Sequence, residues 1–179
     1  MRERIFRSKR VVCGDEIRPA DLVVGWGVIL EILDYGQGGK AFDFGNLLIA
    51  PGFVDLHSDS VEKEVEPRPG ATFPLRASLV ELDRKLAMSG ITTMFHAVSF
   101  NDESITSSRG TEMAARMIRE INQLGKLDLS IDNLIHARYE ITSFPSASVI
   151  ASLIEQGQVH LLSIMDHTPG QGQFKTIES

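Results

Sequence analysis

The sequence predicts an α/β protein, the N-terminal part of a (β/α)8 barrel of the TIM type preceded by a small β-sheet module. Three observations predict it. Residues 1–50 carry short apolar runs separated by turn residues. From Pro51 onward, strand-like and helix-like stretches alternate four times. The strand-like stretches end in polar, ionisable residues, where a parallel barrel keeps its chemistry.

In the first 50 residues the runs are Val11-Val12, Leu22 to Val24, Val28 to Leu33, Phe42 to Phe44 and Leu47 to Ile49, with Gly36-Gln37-Gly38-Gly39 and Asn46 as turn chemistry between them. Gly52 to His57 then reads as a buried strand. Leu79, Leu82, Leu86 and Ala87 have helical spacing, stopped by Gly90. Ile91 to Ser99 is a second strand, and Met113 to Leu124 a second amphipathic helix closed by Gly125. Leu134 to Ile141 is a third strand. A helix capped by Ser146 carries Val149, Ile150, Leu153 and Ile154 and ends at Gly157; Val159 to Met165 is the fourth strand. Four such units make about half of a (β/α)8 barrel, which takes ~250 residues. The division is residues 1–50 and 51–179, the second being the first half of the barrel; an open α/β sheet of few strands is the alternative.

Composition narrows the function. The chain has 18 Lys and Arg against 24 Asp and Glu, a net charge of −6, which argues against a nucleic-acid partner. The basic first ten residues are followed by Asp15 and Glu16 rather than by an apolar run, so no export signal is expected. Leu22 to Leu33, the longest apolar stretch, is too short for a membrane span of about 20 residues. With Cys13 as the one cysteine, a multi-cysteine zinc site is excluded, and a cytoplasmic protein is expected. Any bound metal must be held by histidine and carboxylate.

Those ligands fall at strand ends. His57 and Asp59 lie two apart, so an extended chain would point both to one side. On the third strand His136, Arg138 and Glu140 alternate with Ile135, Ala137 and Tyr139, giving one ionisable face in a class of strand that is normally apolar on both. The fourth strand ends in Met165-Asp166-His167-Thr168-Pro169. His57, Asp59, Glu140 and His167 together would form a carboxylate-rich site for one or two divalent cations, suited to hydrolysis. His96 is read as a barrel-core histidine and His160, at the far end of its strand, as structural. No Walker lysine, G-x-G-x-x-G or G-x-S-x-G sequence is present.

Pro51-Gly52-Phe53-Val54-Asp55-Leu56-His57 resembles the first-strand motif of the amidohydrolase superfamily. With Glu66-Pro67-Arg68-Pro69-Gly70, Gly90-Ile91-Thr92-Thr93, His136-Ala137-Arg138-Tyr139-Glu140 and Met165-Asp166-His167-Thr168-Pro169-Gly170-Gln171, it is similar to the phosphonate-metabolism branch of that superfamily, in the carbon–phosphorus lyase pathway. The resemblance implies a small β-sandwich segment over residues 1–50 and a metal-dependent hydrolase with two Zn or Mn ions and a phosphorylated sugar phosphonate as substrate, from which diphosphate is released. His57 and Asp59 would then be first-strand ligands, Glu140 a bridging carboxylate and His167 a further ligand; Arg68, Arg138 and His136 would meet the anionic substrate. The alternatives are hydrolysis of a cyclic amide or other C–N bond, or a non-catalytic role. The pattern departs at Ser60, where Asn is usual, at His96 and at Gly172. It also places the bridging ligand one strand later than Glu140, unless a short strand lies near Asn101, and puts a later histidine and a general-base aspartate beyond Ser179. An open barrel edge would make the 179-residue chain inactive alone and prone to self-association.

Overall fold

In the computed structural model, the described residues are 3–101, 110–125 and 129–168. They form two compact units, residues 1–51 and 52–179.

The first unit is one five-stranded sheet, built from β1 (Arg4–Cys13), β2 (Glu16–Gly25), β3 (Val28–Asp34), β4 (Phe42–Asp43) and β5 (Leu48–Ile49). The order is β3-β2-β1-β4, with β5 also on β1. Each apolar run expected before Pro51 lies in or beside a strand. Only one sheet is present among the described residues of this unit, so the expected sandwich stands as a single layer. Its hairpins follow turn chemistry. Trp26 and Gly27, both at positive φ (52° and 81°), make the two-residue type I′ connection between β2 and β3. The small core of Val11, Ala20 and Leu22 is supplemented by a buried polar anchor. Asp21 accepts from Arg7 Nε at 2.8 Å and Nη2 at 2.6 Å, and from the N–H groups of Gly36 and Gly38. The Arg7 hydrogen bonds outweigh burial and hold the Asp21 carboxyl well below its ordinary range.

The second unit is a four-stranded parallel sheet, ordered β6 (Phe53–Ser58), β7 (Ile91–Phe100), β8 (Asp132–Glu140), β9 (Leu161–Met165). The connections carry α1 (Ser60–Val65), α2 (Leu75–Met88), α3 (Thr111–Leu124) and α4 (Phe144–Glu155). This β-α alternation is the one the sequence predicts, with α1 added. Residues 102–109, where a short strand near Asn101 would lie, are outside the described residues.

Met94, Val98 and Phe100 of β7 and Ile135 and Ala137 of β8 pack with Leu79, Leu82, Met117, Ile118 and Leu153 from the helices in one core. Parity therefore assigns that face to packing, and the alternate residues Ser99, His136, Arg138 and Glu140 to the opposite face. Gly52 leads into β6 against Thr92, so closely that a Cβ would collide with the threonine side chain.

Two local expectations are corrected. β6 is an edge strand, with Phe53, Val54 and Leu56 exposed, rather than a buried one, because β7 is its one sheet neighbour among the described residues. Ser143, not Ser146, stands at the N-cap of α4; the chain turns helical earlier because Pro145 fits the first turn, and the Ser146 hydroxyl bonds back to Ser143 O at 2.7 Å.

Candidate metal and substrate site

The second face of the parallel sheet gathers the ionisable residues in two pairs. In the first, His57 near the end of β6 meets His136 in the middle of β8. Their Nδ1 atoms are 3.3 Å apart and the rings meet edge to face at 5.1 Å between centroids. His136 Nδ1 also lies 3.2 Å from Leu56 O, and its Nε2 lies 3.0 Å from Ser163 Oγ on β9. Burial lowers the His136 pKa below its ordinary value; the Leu56 carbonyl opposes this, while His57 and Arg138 add to it. His136 is therefore a neutral imidazole at pH 7.

In the second pair, Glu140 closes β8 and meets His167 just past β9. Glu140 Oε2 is 2.6 Å from His167 Nδ1, and Oε1 accepts from the His167 backbone N–H at 3.1 Å. The carboxylate is buried and the imidazole about one-third exposed, at 4% and 34% of their side-chain surfaces. Both contacts follow from the β8–β9 register, which sets Glu140 opposite Met165 and so brings the residues after Met165 past the carboxylate.

Glu140 lies four residues beyond His136 on one strand, roughly 13 Å along the chain at 3.3 Å per residue. Of the four expected ligands, Glu140 and His167 thus form one pair, while His57 pairs with His136 and Asp59 with neither. Among the described residues no group of three His, Cys, Asp or Glu side chains is disposed to hold a metal ion. The donor chemistry, imidazole nitrogen and carboxylate oxygen, suits a divalent cation, and the His57–His136 separation fits two ligands of one ion: zinc–nitrogen bonds of 2.0–2.1 Å at tetrahedral angles put the nitrogens about 3.3 Å apart.

Asp59 departs from the expected geometry. β6 ends at Ser58, and Asp59 takes a near-helical conformation (φ −87°, ψ 14°) at the N-terminus of α1, where Lys63 Nζ reaches its Oδ1 at 3.1 Å. The alternation that would aim it beside His57 stops one residue too soon.

Of the residues expected to meet substrate, Arg138 is half-buried on the second face and donates to Ser99 Oγ at 3.3 Å. Arg68 is exposed in the turn between α1 and α2, where its carbonyl accepts from Ala71 N–H at 3.0 Å, and it takes no part in either pair. A cavity of about 500 Å³ lined by Lys63, Phe73, Ala77 and Glu81 includes none of the candidate residues.

The other two histidines serve the scaffold. His160 Nδ1 accepts from Ile135 N–H at 3.0 Å, tying the entry of β9 to β8. His96 lies on the helix-packed face, its Nε2 2.7 Å from Asn133 Oδ1. Asn133 in turn donates to Asp83, which also accepts from the N–H groups of Ser130 and Ile131. Burial would raise the Asp83 pKa, but these donors outweigh it and hold the carboxyl below its ordinary value of 3.8. Sequence reasoning missed Ser163. Its signal was parity: it pairs with Arg138 in register and is the polar residue of Leu161-Leu162-Ser163-Ile164-Met165.

Comparison with known proteins adds to this geometry. The chain is 31% identical over 176 residues to alpha-D-ribose 1-methylphosphonate 5-triphosphate diphosphatase of Escherichia coli (strain K12), a match covering 97% of the chain and 46% of that protein. The chain resembles this diphosphatase. That bears out the resemblance carried by the motifs between Pro51 and Gln171. The chain spans about half the length of this curated relative. A shorter match, 33% identical over 57 residues, covers 30% of the chain and 12% of the mitochondrial allantoinase of Aquarana catesbeiana. Among solved structures, a zinc-bound adenosine deaminase from Xanthomonas campestris superposes with a TM-score of 0.48 at 14% identity, over 94% of this chain and 50% of that one. No family model matches. No helix of the described residues is long and apolar enough to cross a membrane.

Proposed function

We propose that this chain is the N-terminal half of a metal-dependent hydrolase of the amidohydrolase superfamily. Its substrate would be alpha-D-ribose 1-methylphosphonate 5-triphosphate, cleaved to the 5-phosphate and diphosphate. The observation that carries the reading is the ionisable second face of β8, ending in the Glu140–His167 pair, within a chain similar along 97% of its length to such a diphosphatase. In this reading the parallel sheet is the first half of a (β/α)8 barrel and the second face is its interior, where barrel enzymes keep their catalytic groups near the C-terminal strand ends.

His57, Glu140 and His167 would hold the metal, two Zn²⁺ or Mn²⁺ ions, which when bound supply Lewis-acid charge and a water of lowered pKa; Asp59, expected beside them, stands at the N-terminus of α1 against Lys63. The chain's own groups do the rest. Glu140 fixes the ring of His167 through Nδ1, the carboxylate–histidine arrangement that orients ligands in metal sites. Arg138, held by Ser99, offers a guanidinium suited to phosphate oxygens, and Arg68 is a second candidate from the α1–α2 turn. His136, also expected to meet substrate, lies against His57 on the same face.

The test is a paired assay on the natural protein, measuring diphosphate release from the ribosyl triphosphate and hydrolysis of a cyclic amide, alongside metal analysis. Diphosphate release with bound metal supports the proposal. Amide hydrolysis alone transfers it to the second reading, C–N bond cleavage, which the match to allantoinase favours.

β6 and β9 are the outer strands of their sheet, with Phe53, Val54, Leu161, Leu162 and Ile164 exposed. The 179-residue chain on its own is accordingly expected to be inactive and to self-associate through these edges. A monodisperse monomer in light scattering would contradict this.

A further inference from the structure

We propose that His136 is not a substrate contact but a metal ligand, sharing one divalent cation with His57 through their Nδ1 atoms. The inference rests on the reading of the protein as a metal-dependent hydrolase and assigns a ligand that the motif resemblance did not.

His57 Nδ1 and Leu56 O approach His136 Nδ1 at 3.3 and 3.2 Å. A carbonyl oxygen has only lone pairs to offer, and each neutral imidazole Nδ1 offers either a lone pair or one proton. One proton on His136 Nδ1 must divide itself between Leu56 O and His57 Nδ1, whereas a cation is attracted by all three atoms. The nitrogen–nitrogen separation matches the value of about 3.3 Å required between two tetrahedral zinc ligands.

The surroundings of His136 support the assignment. Metal-bound histidines normally anchor the other ring nitrogen to a hydrogen-bond partner, and His136 has Ser163 Oγ at 3.0 Å from Nε2. A serine hydroxyl can accept the Nε2 proton, which leaves the Nδ1 lone pair facing His57. The register explains why these residues meet. His136 pairs with Ala97 and Leu161, on the same face, and the irregularity between Asp55 and Ser58 in β6 turns His57 toward it. Ser163 thus acts as a positioning residue, through His136.

The experiment is a titration of the natural protein with Zn²⁺ alone, followed by the ¹⁵N resonances of the histidine rings. The Nδ1 signals of His57 and His136 are expected to move together. His136→Asn is expected to weaken Zn²⁺ binding by at least about tenfold, and Ser163→Ala by a smaller factor of several-fold. The wild-type titration needs no variant to fold, so it decides the matter on its own. Movement of His57 or His167 with His136 Nδ1 unmoved overturns the inference and leaves the hydrolase reading standing. No response from any histidine overturns both.

Discussion

The two faces of the parallel sheet are made by the same strands yet hold their residues by different means. On the helix-packed face, Met94, Phe100, Ile135 and Ala137 are at most 1% exposed and are fixed by packing that many neighbours share. On the second face, His57, His136, Glu140 and His167 are fixed by a few directional contacts between named partners. The difference teaches that stability and chemistry are separable here, since one substitution on the first face disturbs many neighbours and one on the second disturbs a pair.

The comparison can be broken first at its strongest point. Phe100→Ala removes a fully buried side chain from the helix-packed face and is expected to cost about 4 kcal/mol, read as a fall in the urea midpoint at unchanged slope. A loss below about 1 kcal/mol would mean that this face is not the stabilising one. Next comes the polar anchor on the same side. Asp83→Ala strips the acceptor from Ser130 N–H, Ile131 N–H and the Asn133 amide, and is expected to cost about 3 kcal/mol, with Asp83→Asn costing less because its carbonyl still accepts.

A pH series sharpens the same contrast. Burial depresses the His96 pKa below its ordinary value of 6.5, so the unfolded chain takes up a proton that the folded chain resists. Stability is full above pH 6.5 and falls as the pH drops from there toward the folded-state pKa, with a slope of at most about 1.4 kcal/mol per pH unit. Denaturation midpoints between pH 7.5 and 5 measure it, and in His96→Gln that part of the slope should vanish. The smallest stability effect belongs to the second face. Glu140→Gln is expected to change stability by under about 1 kcal/mol, because the amide oxygen still accepts from His167 N–H, yet to lower diphosphate release by the natural protein about 100-fold. A large stability loss with unchanged turnover would reverse the assignment of the two faces.

Much of this was legible in the chain itself. Helix stripes such as Met113 to Leu124 follow a 3.6-residue period, and the polar residues of β8 a two-residue period, and both are local properties of the backbone. Hence the elements after Pro51, apart from the six-residue α1, are placed to within a few residues. The site was legible as far as parity reaches: His136, Arg138 and Glu140 share a face, as their spacing requires. It was not legible where a strand gives way to a helix, and Asp59 is the instance, since a two-residue alternation carries no information about where it stops.

The sequence by itself determined which residues alternate, which stretches bury a stripe, and that any metal must be held by histidine and carboxylate. Only the tertiary structure decided that His57 meets His136, that Glu140 meets His167, and that His96 turns to the helices and Asn133. Those partners are 79, 27 and 37 residues apart. Across such separations contact depends on the register between parallel strands, and register is set by how the connecting helices pack, which no local pattern encodes.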